Sequence, residues 1–527
     1  MKNNNNTIPL IRGGPTYRTL NTETVPLFGE EDPVELSISP HVVLSKSILQ
    51  TRTIGYQNLQ ATPISRIIEL FKEASKIFVK NVPLTDDRIL GIEECSKYVT
   101  LATGMPVTFV QNALEMIAWT MGHIDYVLEA MSPTGDLTVY DTFSCRRGDL
   151  TFGWVPRGRN LGAVVPSNHP GVNSLWMLAL TMKYPVVTKP SIGEPFTTHR
   201  IITSLYEAGF PEHSCYFLPL SHSLTPNLLH ECDLSLIFGA AQTVAPYREH
   251  ARIKAYGPGE SKIIIDASYV DSFGMGRLID LITDSMMFDG GRSCINASAV
   301  IVYGENGTKI AAELAQAVAA HVFHEQVLLP LNKNAKIAAF LDPKIALAID
   351  HFISASINGN DKDITFELRG TPRLVKKHGL TYLLPSVVWI KEKGNRLLGT
   401  EFPFPFITVI GVQDKEEMKT LIGNALVLAL ITDDLKLTRE LLSLPRVGKV
   451  YVGELTCAIS AAEPHEGLLS DFLFEKKAYR TRIGEDVRSF AKLYGKIKHR
   501  WSAGRTYEPH EKERLPALFR KLKGKEA

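Results

Sequence analysis

Apolar residues recur three and four positions apart from about Ile64 to Met131, in runs such as ISRIIELFKEASKIFVKN and QNALEMIAWTMGHIDYVLEAM, a spacing that predicts amphipathic helices. Between Asn160 and Asp266 the pattern changes. Short β-branched or apolar runs (LGAVVP, PVVTKPS, CYFLPL, LSLIF) read as buried strands, and VNSLWMLALTM, TTHRIITSLYEAG and TPNLLHE read as helices between them. Such alternation predicts βαβ crossovers and a parallel sheet covered on both faces, whose ligands bind beyond the carboxyl ends of the strands. A second α/β stretch begins near Asp271, with predicted strands SAVIVY, SVVWI, FITVIGV and ALVLALI and helices around KIAAELAQAVAAHVFHEQVLL and KEEMKTLIGNA. The first fifty residues show little periodicity and suggest a meandering arm or paired edge strands.

The expected organisation is an arm over residues 1–60, a helical segment plus a first α/β domain over 61–270, a second α/β domain over 271–445, and a final segment over 446–527 that returns to the first domain and ends in a basic tail. A chain of 527 residues exceeds one ordinary core and suits two or three folded units. Hydrophobic content of 44%, charged content of 22% and a net charge of +2 exclude a nucleic-acid binder and a disordered chain. The polar start MKNNNNTIPLIRGG lacks a secretory pattern, and no run approaches the roughly 20 apolar residues of a membrane span. A cytoplasmic location is expected. The six cysteines are scattered, against a disulfide framework or a Cys-x-x-Cys metal site, and no metal is expected.

In FDGGRSCINASAVIV, Cys294 follows Gly290 and Gly291 and precedes a predicted strand, so backbone there can approach a substrate closely. A free cysteine is more often a small buried hydrophobe, and its context decides. FDGGRSCINA resembles the aldehyde dehydrogenase signature Asn-x-Gly-Gln-x-Cys, with Asp289 for the asparagine and Arg292 for the glutamine. VVPSNHPGVNSLWMLAL resembles the same superfamily's Pro-Trp-Asn-Phe-Pro loop, and VVTKPS its Lys-Pro-Ser element. LIFGAAQ, TEFPFPF and GKVYVGE match more loosely. The order and spacing of these elements, over roughly Asn160 to Arg480, are more specific than any one of them.

The resemblance implies an α/β fold of two doubly wound domains, one for cofactor and one catalytic, with a small oligomerisation flap and a homo-oligomer. It implies Cys294 as nucleophile, with the Asn168 amide and the Cys294 backbone N–H as oxyanion donors. Pro166, Lys189, Ser191, Gly239 and Glu401 would bind the nicotinamide cofactor, Lys189 at the adenosine ribose and Glu401 at the nicotinamide ribose. Arg292, two residues before the thiol, is placed to help depress its pKa.

Two departures give the expectation a direction. Hydrolytic members carry a glutamate in Glu-Leu-Gly-Gly-Lys that activates water, whereas AYGPGESKIIID puts Tyr256 there, and a phenol is a poor base at neutral pH. YGPGES and FDGGRSC also resemble the luminescence-type fatty acyl-CoA reductases. The expected reaction is NAD(P)H-dependent reduction of an acyl thioester, on coenzyme A or an acyl-carrier protein, to an aldehyde through acyl-Cys294. The alternative is hydrolytic oxidation of an aldehyde to an acid, with Glu260 as a substitute base; acyl-phosphate reduction and a non-catalytic binding relative are further readings. Second, Ile192 stands where NAD-preferring relatives place a 2′-hydroxyl-binding glutamate, which favours NADP, with NAD retained if Glu194 takes over the ribose.

Other signals were weighed and set aside. Gly257-Pro258-Gly259 lacks the strand-then-helix setting of a dinucleotide loop. His321 and His324 have no accompanying metal ligands and read as a solvated helix face. NAS at Asn296 and NGT at Asn306 match the glycosylation pattern by chance.

Overall fold

The computed structural model describes residues 6–29, 33–147 and 150–479; the basic segment from Lys496 lies outside them. The first of two seven-stranded sheets contains five parallel strands in the order Ile253–Tyr256, Leu234–Phe238, Leu161–Val164, Val186–Lys189 and Cys215–Phe217. From the central strand Leu161–Val164 the chain winds outward through Val186–Lys189, then crosses to Leu234–Phe238 on the other side. A crevice therefore opens between Leu161–Val164 and Leu234–Phe238, where the loops leaving neighbouring strands diverge. Val186, Val187, Thr188 and Lys189 are all buried, as helices on both faces require. The predicted crossover helices form as Asn173–Thr181, Phe196–Glu207 and Thr225–Glu231.

The arm is more integrated than its sequence suggests. Leu10–Arg12 adds antiparallel to Cys215–Phe217, pairing Ile11 with Phe217, so the parallel sheet does not end on an open edge. Leu10 and Ile8 are fully buried. Weak periodicity hid this because each arm strand is only two to four residues long.

The second sheet runs Lys362–Asp363, Ser386–Trp389, Phe406–Val412, Ala297–Tyr303, Ser261–Asp266, Ala425–Ile431 and Val447–Val452, parallel except for its first strand. Period-two alternation divides its core. Ile263 and Ile265 pack with the helices Met275–Met287 and Gly307–Val322, while Ile264 faces Ala346, Met418 and Leu437 on the other side. KIIID thus belongs to the second sheet, although it lies before the expected boundary at residue 270. Val447–Val452 belongs there too, and the chain returns to the first domain by Ala461, which packs on that domain's core ahead of the helix Leu469–Leu473. The predicted helix KIAAELAQAVAAHVFHEQVLL stops at Val322: Val327 turns into a cluster with Tyr382, and the carbonyl of Pro330 accepts from the Val107 N–H.

A three-stranded flap, Ser144–Arg147, Leu150–Pro156 and Phe474–Ala478, projects beside the first domain, its base closed by Trp154 stacked on Phe474 at 4.0 Å. Among the described residues no helix is long and apolar enough to cross a membrane.

Candidate active site at the junction of the two sheets

The sheets are joined by four residues, Gly257 to Glu260, between the strands Ile253–Tyr256 and Ser261–Asp266. This short connector brings the carboxyl ends of the first sheet against the amino ends of the second. Cys294 sits just before Ala297–Tyr303, and a Cβ on Gly259 would fall 1.8 Å from its carbonyl oxygen, so only glycine lets the connector run across the cysteine loop. The Ser261 hydroxyl donates to the same carbonyl at 3.1 Å.

The loop earns its shape from three consecutive left-handed residues, Asp289 (φ 49°), Gly290 (φ 65°) and Gly291 (φ 75°). Gly291 lies flat on the Phe404–Pro405 backbone, where a Cβ would meet the Phe404 carbonyl carbon at 2.2 Å. Aspartate tolerates this region better than most side chains. Behind the loop, the buried Asn296 amide donates to the carbonyls of Ser285, Met286 and Phe288, and its oxygen accepts from the Ser293 N–H at 2.9 Å. Asn296 therefore scaffolds the nucleophile loop, and its burial removes it as a glycosylation acceptor.

Asn168, in the loop after Leu161–Val164, meets the cysteine loop directly: its amide donates to the Arg292 carbonyl at 3.3 Å. Asn168 and Cys294, 126 residues apart in sequence, are thus brought together. Arg292 does not serve the thiol as its spacing suggested. Its guanidinium donates to the Ala339 carbonyl at 2.7 Å and lies over the Phe340 ring, and burial lowers its pKa to about 10.

Packing against Ile295, Leu426 and Val427 pushes the partly exposed Cys294 thiol up to about 12, and the charges of Glu401 and Glu466 add to the effect. The N–H of Cys294 itself and the buried ammonium of Lys449 act the other way. The cation that favours the thiolate comes from the strand Val447–Val452, not from the cysteine loop.

Tyr256, at the place of a water-activating glutamate, is buried, stacked on Phe238 at 4.6 Å and 8°, and its hydroxyl pKa is raised further by burial. Glu260, the other candidate base, is the connector's left-handed residue (φ 46°), and its charge acts on Lys262 and Glu401. Sequence reading missed Glu466. It lines a cavity of about 470 Å³ together with Gly257 to Gly259, Leu426 and Arg446, and Lys254 donates to its backbone carbonyl at 2.6 Å. Only the fold shows it, because the loop carrying it has no periodicity.

On the first sheet, Pro166, Lys189, Ser191 and Gly239 follow three adjacent strands at the crevice. Lys189 is buried, its pKa lowered by that burial, with the arm residue Glu23 as the nearest opposing charge. Ser191 accepts from the Gly193 N–H, and the Gly239 N–H donates to the Tyr256 carbonyl at 3.1 Å. Glu401 crosses the junction from the second domain, accepting from the N–H groups of Gly259 and Glu260 at 2.7 and 3.0 Å. Glu194 does not face the crevice. It is 1% exposed and accepts from the Thr197 N–H at the start of the helix Phe196–Glu207; its second oxygen has no partner, and burial pushes its pKa up to about 7.

Two doubly wound α/β domains meeting over a cysteine loop and a dinucleotide crevice define the fold of the aldehyde dehydrogenases. The model of the aldehyde dehydrogenase family matches residues 91–469, and the chain belongs to that family, an enzyme class of NAD(P)-dependent oxidoreductases. No curated protein matches the chain in sequence. Among solved structures it is similar to the aldehyde dehydrogenase KauB from Pseudomonas aeruginosa, at 18% identity and a TM-score of 0.70 over 89% of this chain and 96% of that one. Aldehyde dehydrogenase 21 from Physcomitrella patens, in complex with the reaction product succinate, matches at 15% identity and a TM-score of 0.70, covering 89% and 97%. Betaine aldehyde dehydrogenase from Staphylococcus aureus, in complex with NAD+, matches at 15% identity and a TM-score of 0.70, covering 91% and 97%.

Proposed function

We propose that this chain reduces an acyl thioester, on coenzyme A or a carrier protein, to an aldehyde with NAD(P)H through an acyl-Cys294 intermediate. The observation that carries the reading is Tyr256. A buried, ring-stacked phenol occupies the place of the water-activating carboxylate, and an acyl-enzyme formed from or released to a thiol does not need that carboxylate.

The crevice fits a nicotinamide dinucleotide: strand-end loops of a doubly wound sheet surround it, a buried lysine stands at the ribose position, and Glu401 reaches in from the facing domain. A bound nicotinamide supplies the hydride. Lys189, Ser191, Pro166 and Gly239 would hold the adenosine and phosphate half, and Glu401 the ribose beside Cys294. NADPH is the preferred form in this reading, because Ile192 replaces the family's ribose-binding glutamate and Glu194 faces inward, so neither position repels a 2′-phosphate. Cys294 attacks the acyl carbon, forming the C–S bond. The Asn168 amide and the Cys294 N–H hold the oxyanion until it collapses and expels the departing thiolate, which takes up a proton. The flap, with Glu475 to Ala478 exposed, is the surface for self-association.

A second reading, hydrolytic oxidation of an aldehyde to an acid, has its own support. Glu466 lines the cavity beside the connector, its charge reaches Cys294, and burial raises its pKa. A similar fold was solved with a carboxylate product.

The test is purified protein with NADPH and short, long and aromatic acyl-CoAs and carrier thioesters, followed at the nicotinamide absorbance band, with Cys294→Ala as control. Thioester-dependent oxidation of NADPH with aldehyde release is the expected result. Its absence across the panel, with release of acid from aldehydes that requires NAD(P)+ but not coenzyme A, would establish the second reading. In that event Glu466→Gln stops acid release while Tyr256→Phe does not.

A further inference from the structure

The Asn168 loop and the cysteine loop are tied twice, once by the Asn168 amide on the Arg292 carbonyl. One residue after Asn168, the His169 ring nitrogen Nε2 lies 2.7 Å from Asp289 Oδ2, and its Nδ1 lies 3.0 Å from the Gly171 N–H. Both side chains are nearly inaccessible, at 8% and 6% exposure. The Gly171 N–H can only donate, so Nδ1 is unprotonated, Nε2 carries the proton, and the imidazole donates to the Asp289 carboxylate. With both ring nitrogens engaged, His169 has none left to offer a substrate proton. Asp289 is the first of the three left-handed residues that set the cysteine loop, so a bond to it fixes where that loop begins.

We infer that His169 and Asp289 are a positioning pair that holds the Asn168 amide in register with Cys294. The physical need is plain. Asn168 and Cys294 lie on different domains, and an oxyanion donor displaced by a fraction of an ångström loses most of its effect. The cross-domain bond made by Asn168 itself is long, at 3.3 Å, and must yield when the amide turns to an oxyanion. The His169 to Asp289 bond is shorter, buried and outside the reacting path, so it persists through turnover. Geometrically, the pair lets the amide move while its loop stays. The inference rests on the Cys294 chemistry proposed above, but not on which group releases the acyl chain, since thioester reduction and aldehyde oxidation both pass through an oxyanion on the Cys294 adduct.

The experiment is a double-mutant cycle on the full chain, measured on whichever substrate the wild type turns over. Asp289 is the side to change, because removing His169 would strand a buried carboxylate. Asp289→Ala is expected to lower kcat by about tenfold or more while leaving the KM for the nicotinamide cofactor, reduced or oxidised as the reaction requires, within about twofold, and Asp289→Asn, whose amide oxygen still accepts from Nε2, to restore kcat to within about threefold. In an Asn168→Ala background, Asp289→Ala should cost less than about twofold, because the group it positions is gone. Additive losses with a normal wild type, or equal loss in Asp289→Asn and Asp289→Ala, would overturn the pair and leave the Cys294 reading intact. If Asp289→Ala fails to fold, Asp289→Asn alone decides through the same cycle: it keeps the tie, so more than about tenfold loss in a folded, NADPH-binding protein overturns the inference. A wild type with no turnover on thioesters or aldehydes overturns both.

Discussion

The two sheets meet the active site from opposite ends. The cofactor sheet presents the loops that follow its strands, with Pro166, Lys189 and Gly239 just past Leu161–Val164, Val186–Lys189 and Leu234–Phe238. The catalytic sheet presents what precedes its strands: Cys294 before Ala297–Tyr303, Glu401 before Phe406–Val412, and the connector before Ser261–Asp266. Their charges differ as well. At the crevice the cofactor side carries the buried cation Lys189, whereas at the thiol Glu401 and Glu466 oppose Lys449. A cation suits phosphates, and burial above all, with the two carboxylates, disfavours the thiolate. Each half also reaches toward the other: Asn168, from the first domain, donates to the Arg292 carbonyl of the cysteine loop, and Glu401, from the second, accepts from the connector N–H groups.

The division of labour can be broken at several points. Cys294→Ala should lower kcat by at least about 10⁴-fold and leave NADPH binding, read by fluorescence titration, intact; loss of cofactor binding as well would mean that the halves are not separable. Asn168→Ala should lower kcat by about 10²- to 10³-fold with little change in cofactor KM, despite its place on the cofactor sheet. Steady-state kinetics with both substrates varied decides this.

Glu194 sharpens the comparison through stability. Its folded pKa of about 7 lies above the ordinary 4.5, so its contribution to stability is complete below pH 4.5 and is lost as pH rises through 7. Glu194→Gln should flatten that part of the stability curve and gain at most about 3 kcal/mol at pH 8 by chemical denaturation. A variant with no such gain would mean that the carboxylate faces the crevice and its solvent. The smallest effects concern the thiol. Glu401→Gln removes a like charge and should speed iodoacetamide alkylation of Cys294 by about threefold near pH 9, whereas Lys449→Met removes a favourable one and should slow it by a similar factor. Changes in the same direction would show that access, not charge, controls the sulfur.

The neighbourhood of the candidate site was legible in the chain: Cys294, Asn168, Lys189 and Glu401 stood out through their resemblance to signature loops, and the structure brings Asn168 to the cysteine loop and Glu401 to the connector. Arg292 misled because spacing along a loop does not set direction, and its side chain found the Ala339 carbonyl and the Phe340 ring instead. Glu194 offered a carboxylate near the ribose, but the helix it caps turns it inward. Asn296 looked like a chance Asn-Ala-Ser match, yet its amide holds the loop together. The joint appearance of His169 and Asp289 at two loop positions flanking the site was the available sign of their contact, and only packing could reveal it.

Alternating and helical periodicities were enough to predict two α/β stretches, and the signature loops to mark a candidate cysteine and a strand-end crevice by resemblance, because these depend on residues near one another along the chain. The tertiary structure decided where the domains divide, which cation and which carboxylates reach the sulfur, and how the two loops are tied. Those outcomes depend on side chains more than a hundred residues apart, whose directions are set by the packing of one sheet's carboxyl ends against the other's amino ends.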